Sequence, residues 1–125
     1  MVGNRIKITA GDVVVSVELG DSKTVQLLWE ALPIQASGNL WGDEIYFGIG
    51  INADLDDDAE ETVELGTVGY WPPGDALCLF FGPTPMSTGN EIRPASAVNI
   101  LGMIEGDSTA LKAVSGGTVI SVERE

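Results

Sequence analysis

Apolar and polar residues alternate in two runs near the start of the chain, at residues 5–9 and 13–19. A period of two is typical of a β-strand with one buried face. Gly11 and Asp12 lie between the runs, and this pair favours a turn. The pattern therefore predicts that the chain opens with a β-hairpin.

A helix is predicted near residues 22–32. Asp21 or Ser22 can cap its first turn, and Pro33 ends it because proline cannot continue a helix. Its apolar side chains recur with the spacing of a single helix face, at Val25, Leu28, Trp29 and Leu32.

The rest of the chain shows short strand patterns separated by glycine and proline. A turn is predicted at residues 72–75, a long surface loop at 82–96 and a short helix near 107–113. The strands are predicted at residues 44–49, 62–71, 76–81, 98–104 and 118–123. Short strands without regular βαβ alternation predict a mainly β domain, a closed or nearly closed barrel that spans residues 1–125.

Composition limits the classes of function. The chain has 125 residues, which is enough for one domain. No apolar run approaches the roughly 18 residues of a membrane span, and residues 1–11 lack the apolar core of a signal peptide. A cytoplasmic location is expected.

Charge and missing residue types exclude further classes. Nineteen acidic residues against six basic ones give a net charge of -13, which repels nucleic acids and anionic membranes. No histidine is present, and Cys78 is the only cysteine, which removes Ser-His-Asp and Cys-His catalysis as well as cysteine metal sites. No metal and no cofactor are expected.

Two motifs match the sequence only in part. The acidic run at residues 52–58 resembles the start of a calcium loop, but Ala59 and Leu65 stand where an EF-hand needs glycine and glutamate. Residues 48–53 fit the dinucleotide pattern G-x-G-x-x-A, but four aspartates and two glutamates follow within eight residues and would repel a pyrophosphate. A solvated acidic loop and a bend at a barrel corner are the favoured interpretations.

The stretch GYWPPGDALCLFFGPTP at residues 69–85 is the richest in aromatic side chains. Strand alternation sends the side chains to two opposite faces. One set is expected to fill the barrel and the other to form an apolar groove beside the 82–96 loop. The two sets are Tyr70, Leu77, Leu79 and Phe81 on one face, and Trp71, Cys78 and Phe80 on the other.

Arg93 is the only basic residue between Lys23 and Lys112, and it lies in the predicted loop. If that loop covers the strands, the guanidinium could donate hydrogen bonds to a ligand carboxylate or peptide carbonyl. An ordinary surface ion pair with a nearby acidic residue is the favoured interpretation.

Three segments resemble the cyclophilins, which are prolyl isomerases. Residues 22–33 resemble their first helix, residues 74–81 the strand that carries a pocket phenylalanine, and residues 98–123 their C-terminal part. The sequence YWPPGDALCLFFGPTP is similar to the signature of a small prokaryotic cyclophilin-like family of unestablished function. The resemblance implies a closed eight-stranded barrel with a helix at each end.

The polar pocket residues of the cyclophilins are not matched in this chain. The cyclophilin arginine follows a histidine in the strand after the first helix, whereas residues 45–49 contain neither, and the cyclophilin glutamine and pocket histidine are also unmatched. The first expectation is a non-catalytic module that binds a peptide or small apolar ligand. The alternative is a weak prolyl isomerase that uses Arg93. The predicted ligand-binding residues are Tyr46, Tyr70, Trp71, Phe80, Phe81 and Arg93.

Overall fold

The two alternating runs pair as predicted: β1 (Arg5–Ala10) and β2 (Val13–Leu19) form an antiparallel hairpin. The computed structural model describes residues 5–125. Every second side chain of the hairpin is buried in the barrel interior, with Ile6, Ile8 and Val17 fully inaccessible to solvent.

The predicted helix is also present. The helix α1 (Lys23–Ala31) begins after Ser22, whose Oγ accepts a hydrogen bond from the Val25 N–H over 3.2 Å. Val25 and Leu28 point into the core, so the helix packs its apolar face on the barrel. Along residues 5–125, no helix has the length and apolar character needed to cross a membrane.

Nine strands form one antiparallel sheet in the order β3-β9-β1-β2-β8-β6-β7-β5-β4. The remaining strands are β3 (Ile34–Ser37), β4 (Asn39–Leu40), β5 (Glu44–Gly48), β6 (Thr67–Trp71), β7 (Ala76–Phe80), β8 (Asn99–Ile104) and β9 (Val119–Arg124). Short 3₁₀ helices cover Pro72–Gly74 and Ser108–Ala113, and the second lies where a short helix was predicted.

The sheet closes almost completely on itself because its two outer strands, β3 and β4, are consecutive in the chain. Gly38 separates them, and a Cβ there would lie 3.0 Å from Ile120 and 3.3 Å from Ile45. The mainly β barrel is confirmed, with nine strands rather than the expected eight because the segment after the helix is interrupted at Gly38. Neither β3 nor β4 was predicted, since each is too short to show a period of two.

One predicted boundary is wrong. The strand expected at residues 62–71 begins only at Thr67, because Gly66 has φ +88, outside the range of a strand. Val63 instead bridges to Ile92 in the 82–96 loop.

The buried apolar residues form two clusters on the two sides of the sheet. The larger cluster fills the barrel, with Phe47, Tyr70, Leu77 and Leu101 among its fully buried members. The second cluster lies on the outer face, beneath the 82–96 loop. Its buried members are Ala76, Cys78, Phe80, Ile92 and Val98.

Candidate functional site

The outer face of β5, β6 and β7 carries the side chains of the candidate site. In the sheet register Glu44 lies opposite Phe80, Tyr46 opposite Cys78, and Trp71 opposite Ala76. Strand alternation sends all of these side chains outward and the intervening ones into the barrel. The two faces predicted for residues 70–81 are therefore confirmed, because one set belongs to the interior cluster and the other to the outer cluster or its edge.

The 82–96 loop covers this face and is held by its own polar contacts. The buried Thr84 hydroxyl donates a hydrogen bond to the Arg93 carbonyl oxygen. Ser87 Oγ accepts from the Thr84 N–H over 2.9 Å and from the Arg93 N–H over 3.1 Å. Ile92 is buried in the outer cluster, and Trp71 Nε1 donates to Ser96 Oγ over 2.6 Å. The loop is thus fixed to the sheet at several points.

A cavity of about 280 Å³ lies between the sheet and this loop. We call it the aromatic pocket because three aromatic side chains line it. Two loop residues and one residue next to β8 complete the apolar part, and a carboxyl and a thiol are its polar groups. The lining residues are Trp41, Glu44, Tyr46, Trp71, Cys78, Pro94, Ala95 and Val98.

A tight turn between β4 and β5 positions Trp41 beside Glu44. The Trp41 N–H donates to the Glu44 carbonyl oxygen over 2.9 Å, and the Glu44 N–H donates back over 3.2 Å. Gly42 has φ +61 in this turn, and a Cβ there would lie 2.8 Å from Pro85 Cδ. Only glycine suits both the backbone angle and the close approach of the loop.

Glu44 is the most unusual residue of the site. Glu44 is only 6 % exposed to solvent. No arginine or lysine among residues 5–125 forms an ion pair with it. Burial raises the pKa of the Glu44 carboxyl to about 7, and the adjacent Cys78 thiol partly opposes this shift by hydrogen bonding. The carboxyl can therefore accept or donate a hydrogen bond near neutral pH.

The Cys78 thiol is correspondingly inert. Burial raises its pKa well above the usual value, and the Glu44 charge acts in the same direction. Because the thiolate is the nucleophilic form, the thiol is kept out of nucleophilic chemistry. Along residues 5–125, no cluster of three potential ligand side chains is arranged to hold a metal ion.

The structure brings two of the six predicted site residues to the pocket wall, Tyr46 and Trp71. Phe80 is fully buried in the outer cluster, whereas Tyr70 and Phe81 point into the barrel. The Arg93 guanidinium forms an ion pair with Glu91, with 2.6 Å between Nε and Oε2, and it does not line the pocket. Ligand contact by these six residues stays a prediction.

Trp41 and Glu44 line the pocket but were not predicted as site residues. The sequence Trp41-Gly42-Asp43 indicates a turn. This pattern predicts that Trp41 lies in a turn, but it does not predict that its side chain lines a pocket. A glutamate at the start of a strand is typical of a solvated position, so the sequence gives no signal that Glu44 is buried.

Tyr70 has a structural role at the edge of the barrel interior. Its hydroxyl donates to Asp75 Oδ1 and accepts a hydrogen bond from the Ala53 N–H over 3.1 Å. Asp75 Oδ1 also accepts from the Asn52 N–H over 2.8 Å and the Ile51 N–H over 3.2 Å. Burial and the Asp75 hydrogen bond raise the pKa of Tyr70 to about 12. These contacts fix the backbone at the start of the acidic run at residues 52–58, which we call the acidic segment.

A second depression, of about 400 Å³, lies on the outer face of β6 and β8. It is larger than the aromatic pocket, but its lining contains no buried ionisable group. Two glutamates and two threonines line it together with Val63, Ile100 and Met103. Since binding sites combine an apolar enclosure with a few directed polar groups, the aromatic pocket is the better candidate despite its smaller volume.

Comparisons with known proteins define the class. A scan against protein families matches residues 4–123 to the family described as Cyclophilin-like, and the chain therefore belongs to that family. It is also similar to the solution structure of the hypothetical protein AF2241 from Archaeoglobus fulgidus. The two chains are 43% identical with a TM-score of 0.85, over 99% of this chain and 96% of that chain. A search of curated proteins found no match.

Proposed function

We propose that this protein is a non-catalytic binding module that holds a small apolar ligand or an apolar peptide side chain in the aromatic pocket. The observation that carries this proposal is the Glu44 carboxyl, which is buried and without a cationic partner among residues 5–125, yet faces a cavity with aromatic walls. An isolated buried carboxyl costs folding free energy, so its presence beside a cavity favours a role in binding.

The size of the pocket supports a small ligand. Pockets for drug-sized molecules measure about 300–1,000 Å³, and the aromatic pocket, at about 280 Å³, lies just below this range. One ring system or one amino-acid side chain suits such a cavity. The net charge of -13 argues against nucleic-acid and membrane partners, and a cytoplasmic location is proposed from the sequence alone.

Binding is favoured over catalysis because no basic side chain among residues 5–125 lines the pocket. Its titratable residues are Glu44, Tyr46 and Cys78. Rotation about a peptide bond has a barrier of roughly 18–20 kcal/mol, and cyclophilins lower it with an arginine that weakens amide resonance at the proline nitrogen. A prolyl isomerase that used Arg93 would require this guanidinium to leave Glu91 and reach the pocket.

The proposal can be tested by NMR with the three tryptophans as reporters. Trp41 and Trp71 line the pocket, whereas Trp29 lies on α1 with its ring centroid 4.9 Å from the Arg124 guanidinium carbon. Titration with N-acetylproline methylamide and N-acetylphenylalanine methylamide is expected to shift the indole N–H signals of Trp41 and Trp71 and to leave Trp29 unchanged.

A pocket-filling variant is the matched control for this titration. Ala95 is exposed in the loop and lines the pocket, so Ala95→Phe is expected to occupy the cavity without disturbing the barrel. The variant should lose the ligand-induced shifts of Trp41 and Trp71. Shifts confined to Trp29, or equal shifts in the variant and the wild type, would overturn the proposed function.

A further inference from the structure

We infer that the aromatic pocket selects a small organic cation, an ammonium group on an apolar body, and that Glu44 is its counter-ion. This inference rests on the proposed function, because it names the ligand class of the same pocket. The carboxyl of Glu44 and the faces of Trp41, Tyr46 and Trp71 are the groups that would recognise such a ligand.

The first argument is the unmatched charge. A carboxylate removed from water requires a charged or hydrogen-bonding partner to offset its lost hydration. The described acid–base pairs are Arg5 with Glu105 and Glu125, and Arg93 with Glu91. None of them involves Glu44, and the neighbouring Cys78 thiol is a weak donor without charge. A ligand ammonium would supply the missing partner.

The second argument is the composition of the pocket wall. Trp41, Tyr46 and Trp71 offer three aromatic rings, and the face of an aromatic ring attracts a cation through its quadrupole. Pro94, Ala95 and Val98 provide only apolar contact for the rest of a ligand. Rings beside a carboxylate favour an ammonium that carries an apolar group over a neutral or anionic molecule of the same shape.

The third argument is the negative electrostatic potential that the whole chain produces. A net charge of -13 attracts cations and repels anions before they reach the pocket. Within the described part of the chain, residues 5–125, no lysine or arginine lines the pocket to reverse this preference locally.

The inference includes a dependence on pH. The titratable groups that line the pocket with Glu44 are the Tyr46 hydroxyl, also from β5, and the Cys78 thiol from β7, and no charged side chain from the covering loop lines it. Burial raises the pKa of the Glu44 carboxyl to about 7, so its ionised fraction rises about tenfold between about pH 6 and about pH 8. Affinity for an ammonium ligand should rise by about the same factor.

The test uses three probes of one shape: benzylammonium, benzyl alcohol and benzoate. Each is titrated into the wild type and into the Glu44→Gln variant, with the Trp41 and Trp71 indole signals as the readout. We expect benzylammonium to bind the wild type about tenfold more tightly than benzyl alcohol at about pH 8, with benzoate weaker still. The glutamine variant should keep only the weaker preference for benzylammonium that the three rings and the net charge supply, and this preference should be the same at about pH 6 and about pH 8.

The exposed Glu30→Gln is the control variant, because it removes one negative charge far from the lining residues. It should keep the preference for benzylammonium. Equal affinity of wild type for benzylammonium and benzyl alcohol would overturn the cation inference and leave the binding pocket standing. If none of the three probes, and neither of the two neutral amides, shifts Trp41 or Trp71, then the inference and the proposed function both fail.

Discussion

Trp71 Nε1 donates a hydrogen bond to Ser96 Oγ across 2.6 Å, and this bond joins the barrel wall to the loop that covers it. The indole is also confined on its other side, since a Cβ on Gly74 would lie 2.7 Å from Trp71 Cε3. The position of the Trp71 side chain, which lines the pocket, is therefore held in part by Ser96 of the covering loop.

Ser96→Ala is predicted to loosen the covering loop. A neutral hydrogen bond contributes about 0.5–1.5 kcal/mol, and this one is exposed, so the loss should lie at the lower end of that range. The expected result is faster amide hydrogen exchange in residues 92–97 with little change in the barrel strands. Ser115→Ala, at another exposed serine, is the control. Equal exchange in the two variants would show that the bond does not hold the loop.

Glu44→Gln is predicted to change the pH dependence of stability. Glutamate has a pKa of about 4.3 in an unfolded chain, and burial raises the Glu44 value to about 7 in the folded protein. Between these values the folded state binds the proton more tightly, so the carboxyl lowers the free energy of unfolding as pH rises. The free energy of unfolding of the variant should match that of the wild type near pH 4 and exceed it by about 2–4 kcal/mol at about pH 8.

Urea denaturation of both proteins across this pH range measures the difference directly. The difference between variant and wild type is the informative quantity, because many other carboxylates titrate in both proteins. Glu30→Gln, at an exposed position, is the control for the loss of one negative charge. A difference for Glu44→Gln that is constant across the range would contradict the buried, unpaired carboxyl described above.

Asp75→Ala is predicted to release the start of the acidic segment. The Asp75 carboxylate accepts hydrogen bonds from Tyr70 and from the backbone of Ile51 and Asn52. Losing these bonds should cost about 1–3 kcal/mol, and the Ile51 and Asn52 amides should exchange about tenfold faster or more.

Asp75→Asn is the matched control for this prediction. Asparagine retains a side-chain oxygen as acceptor, and it tolerates the left-handed backbone at this position, where φ is 49. It should keep most of the amide protection. Comparable exchange in the alanine and asparagine variants would mean that the acceptor oxygen does not hold the segment.

Arg93→Ala is predicted to leave both stability and ligand binding nearly unchanged. The guanidinium pairs with Glu91 at the surface and does not line the aromatic pocket. Exposed ion pairs contribute little to stability. In a coupled-protease assay on a proline tetrapeptide, neither protein should accelerate isomerisation. Acceleration by the wild type that disappears in the variant would establish the isomerase alternative.

The elements of the barrel could be predicted from the sequence because each depends on a pattern of apolar positions within a short segment. The hairpin of β1 and β2, the helix capped by Ser22 and the two faces of residues 70–81 all follow from the period of apolar positions. Strand alternation also explains why Tyr70 and Phe81 lie inside the barrel, since they share a face with Leu77 and Leu79.

The pocket was harder to predict because it is assembled from distant segments. Trp41 comes from the β4–β5 turn, Glu44 from the start of β5, and Pro94 and Ala95 from the loop. A pattern within one short segment does not predict which distant segments pack together. Cys78 is the exception, since it lies in the apolar run ALCLFF and is buried, as such a run favours.

A crystal structure of the protein soaked with N-acetylproline methylamide tests the central claim most directly. We predict difference density for the amide between Trp41 and Trp71, above the Glu44 carboxyl and beneath Pro94 and Ala95. Density for the amide in the depression beside Ile100 and Met103, with only water in the aromatic pocket, would contradict the account.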